Sequence, residues 1–229
     1  PVHEIHWGVD RARFAPAPWE HKDGLHIVSL RAWEPNYQIA TLIEAFALAR
    51  QQLPGVPLQL HLLGGGSLEP ALRAQVQALG LAPSVAFHGR LDDAGMAAML
   101  ARCKISVTVP ASDATSVAML ESMACGLAVV ASDLPANRQW ITPELLVPVR
   151  DAQALAQVLG RYRLPSRYRL LSTWRVTSTR KASVVRRNQT RRQWWLPPSA
   201  AYRSNAVFLC SASSALCHSH RVCRRSSLP

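Results

Sequence analysis

Short uninterrupted apolar runs along the chain alternate with longer stretches that have a helical period. The runs are typical of buried strands and lie at 25–30, 58–63, 85–87, 105–110, 128–132 and 145–149. Between them, stretches such as 38–53 repeat apolar residues every three or four positions, as one buried face of a helix requires. Apolar strands that alternate with helices indicate a parallel sheet covered on both faces. We therefore predict an α/β fold with a doubly wound, Rossmann-like sheet over about 24–160.

The same periodicity predicts which side chains enter the core. In the first helix the apolar stripe consists of Ile39, Leu42, Ile43, Phe46 and Leu53. In the second helix it consists of Leu68, Leu72, Val76 and Leu79, with Gly80 as the C-terminal stop. Later helices are expected near 93–103, 116–125 and 151–159. The methionines at helical spacing are interpreted as core, namely Met96, Met99, Met119 and Met123.

Charge divides the chain into two compositions. All 14 acidic residues lie in positions 1–160 together with 11 Lys and Arg, so that part carries −3. Positions 161–229 contain the remaining basic residues and no acid, which accounts for the overall net charge of +12. The domain itself is therefore not basic, and its two cysteines, Cys103 and Cys125, are expected to be reduced buried thiols. We do not expect a membrane span, because no apolar run approaches the roughly 18 residues it needs.

Two acidic residues stand in the apolar stretch 112–132. Asp113 follows a predicted strand and precedes a helix, and Glu121 lies on that helix. Doubly wound sheets bind ligands at the carboxyl ends of their strands, so Asp113 is placed at the rim of a ligand site. The helix start offers backbone N–H groups and a positive dipole end that favour a phosphate. A carboxylate at Glu121 could accept the hydroxyls of a ribose.

This stretch resembles the donor-binding signature of family 4 (group 1) glycosyltransferases, which have two Rossmann-like domains. That family shows Glu, seven residues and Glu, and here Asp113 and Glu121 keep the spacing. Supporting matches occur in order: GVDRARF (8–14), LIEAFALA (42–49), LLGGGSLEPALRAQVQALGL (62–81), VAFHGRL (85–91) and LLVPVRDAQAL (145–155). The resemblance covers residues 5–160 and implies the C-terminal, donor-binding half of that architecture. Residues 1–23 would then be an inter-domain linker.

The resemblance implies a retaining transfer of a sugar from a nucleoside-diphosphate sugar to an acceptor. Arg31 would neutralise the leaving diphosphate, Asp113 would hold the transferred sugar, and Glu121 would bind the ribose. The other expected donor contacts are Gly64, Gly65, Gly66, Arg90, Leu91, Ala114, Thr115, Ser116 and Val117. The family needs no metal, and the chain has no Asp-x-Asp pair. Asn36 stands where the family usually has a lysine, so one cation for the leaving group is missing or is supplied from elsewhere.

The resemblance also bears on partners and location. A sugar or lipid-linked acceptor would be held by an N-terminal half that precedes this region. We therefore expect little or no transfer by this chain alone. A cytoplasmic location follows, with peripheral contact at the inner face of the membrane left open. Nucleic acid is not an expected partner.

Each residue also has a purely structural interpretation. Asp113 could simply cap the helix, Glu121 could belong to a solvated face, and Arg31 could be a surface charge. Gly64–Gly66 could form only a tight turn between a strand and a helix. The domain histidines are expected to be structural; these are His6, His26, His61 and His88.

The tail 161–229 shows no useful periodicity and is predicted to be a low-order basic segment. We hypothesise that it is an out-of-frame translation, since it lacks any Asp or Glu. In the rival function class, its Arg and Trp residues would bind nucleic acid as an arm on a Rossmann-like binding module. Zinc binding by its Cys and His residues fits no common ligand spacing. A nucleotide-sugar-processing enzyme other than a transferase is the third alternative, and it would lack the pairing of Asp113 with Glu121.

Overall fold

The structure is a computed structural model that describes residues 8–18 and 24–163 of the chain, and of Arg163 only the backbone. The interpretations of the tail beyond 163, including its cysteines, histidines and tryptophans, lie outside the described residues. So does His6.

A six-stranded, entirely parallel sheet organises this part of the chain. Its strands are β1 (Leu25–Ser29), β2 (Leu58–Leu63), β3 (Val85–Gly89), β4 (Ile105–Thr108), β5 (Ala128–Ser132) and β6 (Leu146–Val147). They lie in the order β3-β2-β1-β4-β5-β6. The predicted doubly wound, Rossmann-like sheet is confirmed, and β6 is shorter than expected, with two residues where five were predicted. Residues of β4 and β5 are buried throughout, as strands covered on both faces should be.

Helices follow the strands as the periodicity predicts. They are α1 (Ile39–Gln52), α2 (Glu69–Ala78), α3 (Asp93–Arg102), α4 (Val117–Ala124), α5 (Pro135–Arg138) and α6 (Ala152–Gly160). Helix α1 packs against both α2 and α6. Crossovers between parallel strands are right-handed, so the change of direction at β1 places α1 and α2 on one face and α3 and α4 on the other. Among the described residues, no helix has the length and apolar character that crossing a membrane requires.

The core confirms most of the predicted helix faces. All five members of the predicted α1 stripe are buried, and so are Leu72 and Val76 of α2. Leu79 is the exception, because the helix ends at Ala78 and leaves that side chain 43% exposed. Gly80 stops the helix in the left-handed conformation (φ 64°), as predicted, and the chain then turns back so that Leu81 becomes buried. Cys103 and Cys125 are buried, and the four methionines lie in the core or pack against it.

The segment 8–18 packs against the domain. Val9 and Phe14 are buried in the same core as the sheet. Pro16 approaches Gly126, where an added Cβ would lie 3.2 Å from the proline Cβ. This part of the predicted linker is therefore docked on the domain.

Three histidines form a row across neighbouring strands. His26 Nδ1 lies 2.8 Å from His61 Nε2, and His61 Nδ1 lies 2.9 Å from His88 Nε2. The rings of His26 and His61 are stacked, with centroids 5.1 Å apart. Burial lowers the pKa of His61 to about 4, and the nearby His26, His88 and Arg102 act in the same direction. These histidines are structural in the sense predicted, but they form one hydrogen-bonded unit.

Candidate functional site

The chain reverses its direction of winding at β1, which lies between β2 and β4. In open parallel sheets the ligand crevice lies outside the carboxyl ends of the strands at this reversal. Arg31 follows the carboxyl end of β1, and Asp113 lies in the loop after β4. The pairing of Val28 with Ser106 brings these two strand ends side by side. The structure therefore places both predicted residues at the same crevice.

Arg31 and Asp113 are joined directly. The Arg31 guanidinium donates from Nη2 to Asp113 Oδ2 at 2.6 Å and from Nη1 to Ser116 Oγ at 2.5 Å. Its carbon Cζ lies 4.4 Å from the centroid of the Tyr37 ring. The side chains of Arg31 and Asp113 are only 11% and 23% exposed. Arg31 is therefore a largely buried cation fixed by hydrogen bonds, and the interpretation as a plain surface charge is wrong.

Asp113 does not cap the helix that follows it. The N-cap of α4 is Ser116, whose hydroxyl accepts a hydrogen bond from Met119 N at 3.3 Å. Asp113 accepts from its neighbour Ala114 N at 2.9 Å and turns its other oxygen to Arg31. Its carboxylate thus faces the crevice side of the loop, where it balances the guanidinium charge.

Asn36 makes a second connection across the crevice. Its Nδ2 donates to the carbonyl of Ser112 at 2.8 Å, and its Oδ1 accepts from Ser112 N at 3.2 Å. Its own carbonyl accepts from Ala111 N at 2.7 Å. Sequence reasoning noticed Asn36 only as the place of a missing lysine. These hydrogen bonds depend on the two loops meeting in space, and no local sequence pattern indicates that.

Glu121 lies on α4 and is buried, with 3% of the residue exposed. Its Oε1 has no hydrogen-bond partner among the described residues. Burial and, to a smaller extent, the nearby Asp93 carboxylate raise the pKa of Glu121 to about 7, although Arg13 acts in the opposite direction. The alternative of a solvated helix face is therefore wrong. An unpartnered buried carboxyl is costly in a core, so such a group is a candidate for ligand binding.

An ion pair lies near Glu121. Arg13, from the docked N-terminal segment, pairs with Asp93 at the start of α3. Asp92, one residue earlier, caps α3 by accepting from Gly95 N at 2.8 Å, at the start of the helix that was predicted near 93–103. Sequence reasoning missed Arg13 and Asp93 as neighbours of Glu121, because they come from separate segments of the chain.

The glycine turn after β2 is shaped by its neighbours. A Cβ on Gly64 would lie 2.5 Å from the carbonyl oxygen of Arg31, and one on Gly66 would lie 2.4 Å from that of Trp33. Trp33 N donates to Gly65 O at 3.0 Å, so a hydrogen bond connects the turn to the loop after β1. These contacts support the interpretation that the glycines form a tight turn between a strand and a helix. That they also contact a nucleotide-sugar donor stays a prediction.

The remaining predicted residues lie at the rim. Arg90 and Leu91 follow β3 and are exposed, and the guanidinium Nε of Arg90 lies 3.9 Å from the Cβ position of Gly65. Ala114–Val117 lead into α4 from the Asp113 side. The first N–H groups of a helix have no intrahelical acceptor, so this turn suits an anion.

Comparison with known proteins bears on the same region. The family model for glycosyl transferases group 1 matches residues 24–162. A phosphatidyl-myo-inositol mannosyltransferase of Mycolicibacterium smegmatis is 34% identical over 164 residues, 68% of this chain and 41% of that protein. The protein of the same name from Mycobacterium leprae is 36% identical over 135 residues, 55% of this chain and 33% of that one. The chain thus spans about two fifths or less of the length of these relatives.

Solved structures show the same fold. The C-terminal domain of the group 1 glycosyl transferase LpcC from Francisella tularensis superposes with a TM-score of 0.66 at 21% identity, over 76% of this chain and 98% of that one. Anabaena HepE in complex with UDP and glucose gives 0.65 at 18% identity, over 80% and 55%. The sheet order, the residues at its reversal and the family match agree, and the chain belongs to the group 1 glycosyltransferase family.

Proposed function

We propose that the protein binds a nucleoside-diphosphate sugar at the carboxyl ends of β1 and β4 and forms the donor-binding portion of a retaining glycosyltransferase. The observation that carries this proposal is the Arg31–Asp113–Ser116 cluster at the reversal of the sheet. It joins a largely buried cation, a carboxylate and a helix start in one place. Membership of the family makes glycosyl transfer the reaction class that these groups would serve.

In this proposal Arg31 and the start of α4 stabilise the diphosphate. Departure of a nucleoside diphosphate develops negative charge, and fixed cations and N–H dipoles stabilise that charge best. Asp113 already holds the Arg31 side chain in place, so the guanidinium loses little conformational freedom when it binds an anion. Asp113 itself would accept hydroxyls of the sugar. Arg31 and Asp113 are thus the proposed catalytic residues.

Glu121 and the rim residues would hold the nucleoside. A ribose diol donates two hydrogen bonds, which would satisfy the unpartnered Oε1 of Glu121. The base would lie against the backbone near Arg90 and Leu91. Gly65 at the centre of the glycine turn would border the diphosphate between these two ends.

The named relatives indicate which sugar and which acceptor to test first. Two relatives are named phosphatidyl-myo-inositol mannosyltransferases, so mannose and a lipid-linked acceptor are the first pair to test. The HepE complex with UDP and glucose makes UDP-glucose the second donor to test. An acceptor of this kind would bring the protein to a membrane surface from the cytoplasmic side. We propose that transfer needs no metal.

Calorimetric titration of the protein with UDP, GDP and ADP tests the proposal. We expect one of them to bind with one-to-one stoichiometry, with an affinity unchanged by EDTA. Arg31→Ala should lower that affinity at least about ten-fold, because it removes a charge-assisted contact of about 1.5–3 kcal/mol. Arg50→Ala is the matched control, since Arg50 is exposed in the last turn of α1. Absence of binding by all three nucleotides would contradict the proposal.

A further inference from the structure

The loop that connects β4 to α4 is fastened from the opposite side of the crevice at two points. At its start, Asn36 binds the backbone of Ala111 and Ser112 through three hydrogen bonds. At its end, Arg31 binds Asp113 and Ser116. Both fastening residues belong to the segment that follows β1, so the two loops that border the proposed donor site form one connected unit.

The Asn36 side chain suits this task because a carboxamide carries a donor and an acceptor side by side. It meets the N–H and the carbonyl of the same residue, Ser112, as a neighbouring strand would. Asn36 lies in the 3₁₀ turn Pro35–Tyr37 and is anchored there by its own carbonyl, which accepts from Ala111 N. An aspartate would keep the acceptor and lose the donor. An alanine would lose both.

The charge balance of the crevice makes this fastening important for a ligand. Asp113 lies 2.6 Å from Arg31 and offsets its charge. Asn36, on the turn that follows, adds no charge. Recognition of a diphosphate would therefore depend on the geometry of the loop and of the helix start as well as on the charge of Arg31. Such geometry lowers the entropy cost of binding when it exists before the ligand arrives.

We propose that Asn36 is a positioning residue of the donor site, which holds the backbone of Ala111 and Ser112 so that the residues after them, Asp113 to Val117, take the conformation that receives the diphosphate. The inference depends on the proposed function, because it assigns Asn36 a role in the same site. Asn36 acts through the backbone of Ser112 and does not touch the ligand.

The test compares the full-length chain with Asn36→Ala, Asn36→Asp and Ser112→Ala. Ser112→Ala is the matched control, because Asn36 binds the backbone of residue 112 and not its hydroxyl. The affinity for UDP, GDP and ADP is measured by calorimetry, and hydrogen exchange is followed at the amides of Ala111 and Ser112. Melting temperatures of all variants are recorded in parallel.

We expect Asn36→Ala to weaken nucleotide binding about ten-fold, as the loss of one to two net hydrogen bonds implies. Exchange at residues 111 and 112 should accelerate, while Ser112→Ala keeps the affinity of the parent. Asn36→Asp should weaken binding at least as much as Asn36→Ala, because one of its carboxylate oxygens would face the carbonyl oxygen of Ser112, and it carries the test if the alanine variant does not fold. A purely structural role would change the melting temperature without changing the affinity of the folded protein.

Two outcomes overturn the inference in distinguishable ways. If the parent binds none of UDP, GDP and ADP, the proposed function fails and the role of Asn36 fails with it. If the parent binds and both Asn36 variants bind equally well, only the role of Asn36 is wrong.

Discussion

Glutamine in place of Glu121 should make the protein more stable relative to the parent as the pH rises from 4.5 to 7. In the folded protein, burial raises the pKa of Glu121 from the ordinary 4.5 to about 7. The unfolded chain releases this proton near pH 4.5, whereas the folded protein keeps it until about pH 7. The contribution of Glu121 to stability is therefore complete below pH 4.5 and is lost as the pH rises through 7.

One pKa unit corresponds to about 1.4 kcal/mol, so the parent loses about 3 kcal/mol through Glu121 across this window. His61 acts in the opposite direction. Its pKa falls from 6.5 to about 4, so its contribution is complete above pH 6.5 and is lost as the pH falls through 4. Near pH 5.5 both slopes are about 1.2 kcal/mol per pH unit with opposite signs. The two groups therefore cancel in the parent.

The assay is urea unfolding of the full-length chain at half-unit steps between pH 4.5 and 7.5, followed by tryptophan fluorescence. The free energy of unfolding of Glu121→Gln minus that of the parent should rise by about 3 kcal/mol across the range. His61→Gln is the companion variant, and its difference from the parent should rise as the pH falls. A pH-independent difference for Glu121→Gln would refute the reasoning, because it would mean that Glu121 titrates alike in both states.

Three further substitutions test other parts of the structure. Gly64→Ala should lower the free energy of unfolding in urea by more than about 2 kcal/mol, since its Cβ would lie 2.5 Å from the carbonyl oxygen of Arg31. Gly55 also has a positive φ but has open space around it, so Gly55→Ala should cost only about 1 kcal/mol in the same titration. Ser116→Ala removes the cap of α4 and a partner of Arg31; we expect a loss of about 1 kcal/mol in urea unfolding, and an unchanged midpoint would contradict the capping role. Leu155→Ala, in the helix that packs on α1, should cost about 2–5 kcal/mol by thermal unfolding, and a loss below 1 kcal/mol would show that this packing is not tight.

The sequence predicted the elements well because their burial leaves a local signature. Strands covered on both faces are apolar throughout, and β2 and β5 begin and end where their apolar runs do. The α1 stripe repeats at the helical period because one face of that helix packs on the core. The signature weakens where burial is incomplete. The strand predicted at 145–149 therefore has only two residues in the structure, and Leu79 is exposed because its helix ends at Ala78.

The position of Arg31 and Asp113 after strands was also readable from the sequence, since the chain order of strands and loops is local information. Their direct pairing was not, because it depends on β1 and β4 lying side by side with Val28 opposite Ser106. The hydrogen bonds of Asn36 to the loop after β4 were not predictable for the same reason. Nor was the closeness of Arg13 and Asp93 to Glu121. Each joins segments that are distant along the chain.

For this protein, the sequence alone determined the class of fold, the order of its elements and the carboxylates worth following, because hydrophobic periodicity and residue type are properties of neighbours in the chain. Only the tertiary structure decided which of those groups are fixed by hydrogen bonds and which pKa values are shifted. It also decided which carboxyl among the described residues is buried without a hydrogen-bond partner for one of its oxygens. Hydrogen bonds act over about 3 Å, and burial depends on every element that packs around a group, so both are settled only when the strands take their places in the sheet.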